Sequence, residues 1–341
     1  MAFRCPFACG PVITDMLRYL IRRVLYAIPI LIGVNVLTFT LFFIVNSPDD
    51  MARMQLGVKR VTPEAIDNWK RERGYDRPLL WNESAQGIGR VRDTIFFTHS
   101  LRLFKFDFGT AESDGRDIGH EIRTRMWPSL SIALPVFIVG LATYVTFALL
   151  MALFRATFLD FAGVLVCVTA MAISTMFYII GGQFLVCKLW NLAPISGFAP
   201  GIGAWRFILL PVGVGLVAGF GDSSRWYRTI FLEEINKDYV RTARAKGLSE
   251  GRVLVHHVLR NALIPILTGV VVVIPGLFLG SLVTESFFGI PGLGSYTIDA
   301  IGSQDFAVVR SMVFLGSLLY IVGLILTDIS YTLVDPRIRF E

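Results

Sequence analysis

Charge is scarce in this chain. Only 17% of its 341 residues are Asp, Glu, Lys or Arg, against 54% hydrophobic residues and a mean hydropathy of +0.61, which excludes an ordinary water-soluble core and places the chain in a lipid bilayer. Cysteine is sparse too. Cys5, Cys9, Cys167 and Cys187 are divided between a short N-terminal tail and apolar segments, which excludes a disulfide framework and a metal-ligand pattern. No Gly-x-x-x-x-Gly-Lys-Ser/Thr phosphate loop occurs, so any nucleotide chemistry is expected on another chain. Residues 1–15 lack the basic, apolar and small-residue order of a cleaved leader and read as a dispensable extension or an upstream start. A net charge of +6 does not imply nucleic acid, because the basic residues flank apolar runs, where they act as topology determinants.

What is present is long hydrophobic runs. A helix needs roughly 20 apolar residues to cross the hydrocarbon core, and residues 24–47, 129–154, 161–187, 262–284 and 311–334 meet that requirement. A sixth span, 207–221, is short and glycine-rich. It is counted because the polar segment before it and the basic one after it would otherwise lie on the same side. The expected architecture is all-α and polytopic, with six transmembrane helices. Its divisions are a cytoplasmic segment 1–23, a first span 24–47, an external subdomain 48–128, a five-helix core 129–334 and a cytoplasmic tail 335–341. Arg18, Arg22, Arg23, Arg155 and the basic residues from Arg225 to Arg260 place both termini in the cytoplasm.

Within the external loop, Thr62 as cap, Pro63 at the first helical position, and Ala65, Ile66 and Trp69 at helical spacing predict a short helix. The loop is read as a small subdomain or as a contact surface for an external partner.

The central basic segment carries the functional signal. Phe231, Ile235, Tyr239 and Ala243 recur every fourth residue opposite Lys237, Arg241 and Arg244, which predicts an amphipathic helix over 231–246. Gly247 suits the left-handed residue that ends a helix, and Ser249 can cap a second helix carrying His256 and His257. Adjacent histidines point in different directions, so no metal site is expected. Pro265, expected in the first turn of the next span, would couple the helix pair to that span. The basic face alone equally fits a helix lying on acidic lipid.

The run Asp238-Tyr-Val-Arg-Thr-Ala-Arg-Ala-Lys-Gly-Leu-Ser249 followed by Arg260-Asn-Ala-Leu-Ile-Pro265 resembles the cytoplasmic EAA loop of ABC importer permeases, in the form usual in the oligopeptide/dipeptide branch. Gly247 matches the loop glycine. Arg241, Thr242 and Ala243 occupy the Glu-Ala-Ala positions, so the glutamate and first alanine are absent. Gly74-Tyr-Asp-Arg-Pro-Leu79, Phe106-Asp-Phe-Gly109, Leu192-Ala-Pro-Ile-Ser-Gly197, Gly289-Ile-Pro-Gly-Leu-Gly294 and Leu333-Val-Asp-Pro-Arg-Ile-Arg339 resemble further landmarks of the branch, whereas residues 82–103 depart from its commoner external loop.

The resemblance implies a type I ABC importer permease that moves peptides by alternating access, with nickel or another small solute as the alternative cargo. It implies a second homologous permease, two ATP-binding subunits and an external substrate-binding protein as partners. ATP and Mg would sit on those partners, with no cofactor on this chain. Tyr239, Arg241, Thr242, Ala243, Arg244, Ala245, Lys246, Gly247, Leu248 and Ser249 would form the ATPase-coupling loop, and Asn261 and Pro265 would pass its motion to the fifth helix. An ion-coupled carrier is disfavoured by the near absence of ionisable groups inside the spans. At the outer end of the fifth span, the density of residues that allow non-helical backbone makes Glu285, Gly289, Pro291, Gly292 and Gly294 candidates for an outer gate. Glu285 is read either as a partner for a peptide's amino terminus or as a structural acid.

Overall fold

In a bilayer every backbone polar group must find its partner within its own segment, so apolar runs of this length fold as helices. The computed structural model describes residues 10–45, 47–57, 62–83, 87, 89–199 and 201–334; the tail 1–9 and the stretch 335–341, including Arg337 and Arg339, lie outside the described residues. Among the described residues there is no strand, only an isolated bridge between Thr110 and Asp117. In chain order the helices are α1 (Gly10–Val45), α2 (Pro48–Leu56), α3 (Pro63–Arg73), α4 (Gly89–Arg92), α5 (Ile95–Phe104), α6 (Ile118–Leu153), α7 (Phe158–Ala172), α8 (Thr175–Gly182), α9 (Trp205–Ile235), α10 (Asp238–Ala245), α11 (Glu250–Val253), α12 (Leu259–Val273), α13 (Leu282–Phe288), α14 (Leu293–Gly302) and α15 (Phe306–Val334). Five stretches, Ile21–Phe43, Ile118–Leu153, Trp205–Ile235, Glu250–Leu279 and Phe306–Ser330, are long and apolar enough to cross a membrane, and a bent pair supplies a sixth.

Residues 10–124 with 297–325 form one compact unit. The short helix expected after Thr62 is α3. The Thr62 hydroxyl accepts from Ala65 N–H at 3.4 Å, Pro63 occupies the first turn, and Gly74 closes the helix at φ 72°. Ile66 and Trp69 turn inward, where Trp69 stacks on Tyr75 at 5.6 Å beside Phe39, Phe43 and Met51. A second cluster joins Ala27 and Leu31 of α1 to Leu103 of α5 and to Phe314 and Ile321 of α15.

Residues 125–296 with 326–334 form the other unit. Its helices differ from the expected spans in three places. The run 161–187 is not one straight helix, because α7 and α8 meet at 87° across Ile173 and Ser174, both in extended backbone. The Tyr178 hydroxyl donates to the carbonyl of Ala170 at 2.9 Å, satisfying one acceptor exposed by the break.

The glycine-rich segment 207–221 is longer than expected. It belongs to α9, which runs on through Arg225 and Arg228, and Gly221 serves close approach: a Cβ on it would strike the backbone carbonyl of Cys167 and lie 2.8 Å from Met171 Cγ. Across the same α7–α9 contact, Arg228 grips Asp160 with two hydrogen bonds of 2.8 and 2.9 Å, so a charge pair tethers the two helices. Finally, the fifth span starts earlier than residue 262. Helical backbone is continuous from Glu250 to Leu279, with a π-helical turn at Leu254–Val258 and a 3-10 end at Ile274–Leu279, and it stops at Gly280.

Candidate functional site

The amphipathic segment expected as one helix over 231–246 is two. α9 ends at Ile235, Asn236 and Lys237 break the backbone, and α10 resumes at Asp238. The apolar side of the pattern holds across the break. Phe231, Ile235, Val240 and Ala243 are buried with Tyr144, Val253, Leu254 and Val258 in one cluster, with Tyr239 packed at its edge. Leu248 packs at the same edge. Lys237, Asp238, Arg241, Thr242, Ala245, Lys246, Gly247 and Ser249 are left exposed. A helix lying loosely on its own would not bury residues against the body of the protein as α10 buries Val240 and Ala243. This one is fixed, and only its polar side is presented.

Gly247 adopts φ +76° and its N–H donates to Arg244 C=O at 2.9 Å. An added Cβ would meet nothing within 4 Å, so the chain itself needs glycine there for the backbone angle and not for room. The turn is bridged by a two-point ion pair, Arg244 Nε to Glu250 Oε1 at 2.7 Å and Nη2 to Oε2 at 3.1 Å. Ser249 stands at the start of α11 in extended backbone, and it is its carbonyl that accepts from Val253 N–H at 3.0 Å; its side chain makes no capping bond. α11 is not a separate second helix but the first turn of the long helix that enters the membrane. Pro265 accordingly lies in the interior of α12 and not in a first turn.

The link from the exposed turn to that long helix runs through Tyr239. Its hydroxyl donates to Glu234 Oε2 at 2.5 Å, Lys237 Nζ reaches Glu234 Oε1 at 2.5 Å, and the Asn261 side chain lies against the same hydroxyl. Burial, with the Glu234 carboxylate beside it, pushes the tyrosine up to about 12. Asn261 Nδ2 also donates to His257 C=O at 2.8 Å, so the side chain that meets Tyr239 is itself held by the helix it belongs to. Glu234 is the residue the sequence pattern passed over. It is 7% exposed on a helix end rich in charge, and nothing in its spacing separates it from exposed Glu233.

At the other end of the long helix the five gate candidates fall into two groups. Gly292 and Gly294 pack around Glu285, whereas Gly289 and Pro291 are exposed. Glu285 is 1% exposed. Its Oε2 accepts from the N–H groups of Gly294 (2.7 Å) and Ser295 (3.1 Å) in the first turn of α14, and its Oε1 accepts from Ser281 N–H (3.1 Å). The Ser129 hydroxyl donates to the same carboxylate and accepts from Leu293 N–H at 2.8 Å.

Burial raises the Glu285 carboxyl above its ordinary range, and these four donors pull it back. A Cβ on Gly280 or Gly292 would run into this carboxylate, which explains both glycines. The carboxylate thus joins the end of one helix to the start of another. Beside it, Gly289 ends α13 at φ 60°, and Phe288 C=O accepts from Gly197 N–H at 2.8 Å, bringing the 192–197 and 289–294 landmarks together.

Comparison with known proteins places the chain in a family. The model of the family described as binding-protein-dependent transport system inner membrane component matches residues 124–340, and that of its N-terminal membrane component matches residues 16–98. A protein of Brucella abortus strain 2308, provisionally named a peptide transport system permease protein, is 30% identical over 338 residues, covering 96% of this chain and 100% of its own. The glutathione transport system permease protein GsiC of Salmonella typhimurium strain LT2 is 31% identical over 331 residues, covering 96% and 100%.

Proposed function

The chain belongs to the family of binding-protein-dependent transport system inner membrane components, and from that premise we propose that it forms part of the path by which an ATP-driven importer carries peptides across the membrane. It is a multi-pass inner-membrane permease subunit and not an enzyme, and it works with ATP-binding and substrate-binding partners. The names of its relatives, given for peptide and glutathione transport, favour peptides over nickel and over an ion-coupled carrier. In our reading the complete importer holds a second homologous permease and two ATP-binding subunits, which carry the ATP and Mg, with both termini of this chain in the cytoplasm.

The observation that carries the mechanism is the turn at Gly247: exposed, stapled by Arg244 and Glu250, and continuous with a helix of membrane-crossing length. Closure of the ATP-binding pair would press on the polar side of α10. Tyr239 against Asn261 would pass the displacement to the helix beginning at Glu250, which would tilt as a unit. The region around Glu285 at the far end of that helix would then respond as an outer gate, with the buried carboxylate keeping α13 and α14 together while they move.

Reconstitution tests this reading. Vesicles containing the chain, its partner permease and the ATP-binding subunits are expected to accumulate labelled di- or tripeptide only with ATP and the external binding protein present. Uptake that persists without ATP and follows a proton or sodium gradient would overturn it.

A further inference from the structure

In the unit formed by residues 10–124 and 297–325, a cavity of about 110 Å3 is lined in part by Arg73, Tyr75, Arg102, Asp107, Glu112 and Arg310. Two of these are buried charges with unmet needs. Arg310, in the second turn of α15, is 8% exposed, and its buried Nε has no hydrogen-bond partner among the described residues. Glu112 is 7% exposed; its Oε1 accepts from the Tyr75 hydroxyl at 2.7 Å, while Oε2 has no partner among the described residues. The nearby acid Asp305 is already committed. Its Oδ2 accepts from Ser113 N–H and hydroxyl, both at 2.9 Å, and its Oδ1 caps α15 through Val308 N–H at 3.2 Å.

Buried charges are costly unless paired, and a charge in a helix of membrane-crossing character is more so. Here a guanidinium and a carboxylate share one cavity and influence each other electrostatically, yet form no direct ion pair. A plain anion would satisfy Arg310 and oppose Glu112. A plain cation would do the reverse. We propose that this cavity binds a small zwitterion of the free α-amino acid class, its carboxylate accepting from Arg310 and its ammonium donating to Glu112. The size fits: a water needs about 10–15 Å3 of such space, so the cavity takes several waters or one molecule the size of glycine or alanine. Arg102 and Asp107, both exposed at its margin, repeat the pairing of opposite charges where such a ligand would enter.

The proposal is read by binding alone, so its outcome is separate from that of the transport reading. The full chain in lipid nanodiscs is titrated calorimetrically with glycine and L-alanine, and with acetate and methylammonium, which each carry one of the two charges. Saturable one-to-one binding of glycine or alanine is expected, with acetate and methylammonium weaker by about tenfold or more. Arg310→Met and Glu112→Gln should each weaken binding by a similar factor. Ala307→Leu, which adds bulk at a position lining the cavity while leaving both charged residues in the chain, should abolish it.

If either charge variant fails to fold, the ligand series on the unaltered chain and the Ala307→Leu variant still decide. Acetate binding as tightly as glycine, or glycine binding unchanged in Glu112→Gln, would make this a simple anion site and overturn the proposal. So would the absence of saturable binding at millimolar concentrations, which would leave the cavity to water.

Discussion

Substituting Gly247 separates what the turn needs from what a partner needs. At φ +76° an L-residue costs roughly 1–2 kcal/mol, less for Asn, whose short polar side chain tolerates this region. Because a Cβ at this position meets nothing within 4 Å, that backbone term is the whole cost of Ala within the chain, and at an exposed turn Arg is expected to add little to it. A penalty of 1–2 kcal/mol is a factor of about 5–30 in an equilibrium. If the turn served only itself, Asn would be mildest and Ala and Arg would match.

If an ATP-binding subunit closes over the turn, the loss must grow with side-chain size, and Gly247→Arg must fall well beyond thirtyfold while Gly247→Asn and Gly247→Ala stay within it. The assay is the affinity of the ATP-binding subunits for the nanodisc-embedded permease pair, measured alongside membrane insertion and thermal stability. The Arg variant is expected to insert normally, to lose the ATP-binding subunits and to abolish uptake. An Arg variant that binds them as the Ala variant does would refute the docking assignment.

Other substitutions probe the supports of the site. Glu285→Ala strands three backbone N–H groups and the Ser129 hydroxyl, and should cost about 3 kcal/mol or more in unfolding measurements. Because burial raises the Glu285 pKa, its contribution is greatest at acid pH and declines as pH rises through that elevated value, so the stability margin of wild type over Glu285→Gln should narrow across that rise and stay flat above it. Arg244→Gln should lose about 0.2–1 kcal/mol, since the pair with Glu250 is partly exposed, and a double-mutant cycle with Glu250→Gln should return that coupling; a coupling of zero would remove the staple from the mechanism. Gly221→Ala forces a methyl against the Cys167 carbonyl and should cost about 1–3 kcal/mol by thermal unfolding, whereas Gly213→Ala, where a Cβ meets nothing, should not.

The parts of the fold legible in the sequence are those whose cause is local. α3 carries its own cap, its own proline and its own terminal glycine, and Gly247 has the backbone angle its place in the pattern requires. Breaks inside continuous patterns leave weaker traces. The 87° bend at Ile173 and Ser174 sits within an apolar run that hydropathy reads as uniform, and the step at Asn236 and Lys237 preserves the buried side on both halves, so a four-residue repeat passes straight across it.

Long-range pairing is least legible. Glu234 and Glu285 owe their positions to groups brought together by the fold, and the Asp160–Arg228 pair joins residues 68 apart. Arg310 did leave a signal, as a single charge at the start of an apolar run. A span drawn to begin at residue 311 steps over it by one residue.

The continuous helical path from Glu250 to Leu279 has a mechanical consequence. Thirty residues at 1.5 Å per residue make a beam of about 45 Å. Pivoted at its middle, such a beam has equal arms of about 22 Å, so a tilt of about 10° carries each end about 4 Å in opposite directions. With that pivot the gearing would be one to one: a stroke delivered beside Gly247 would emerge undiminished, and reversed, at Gly280.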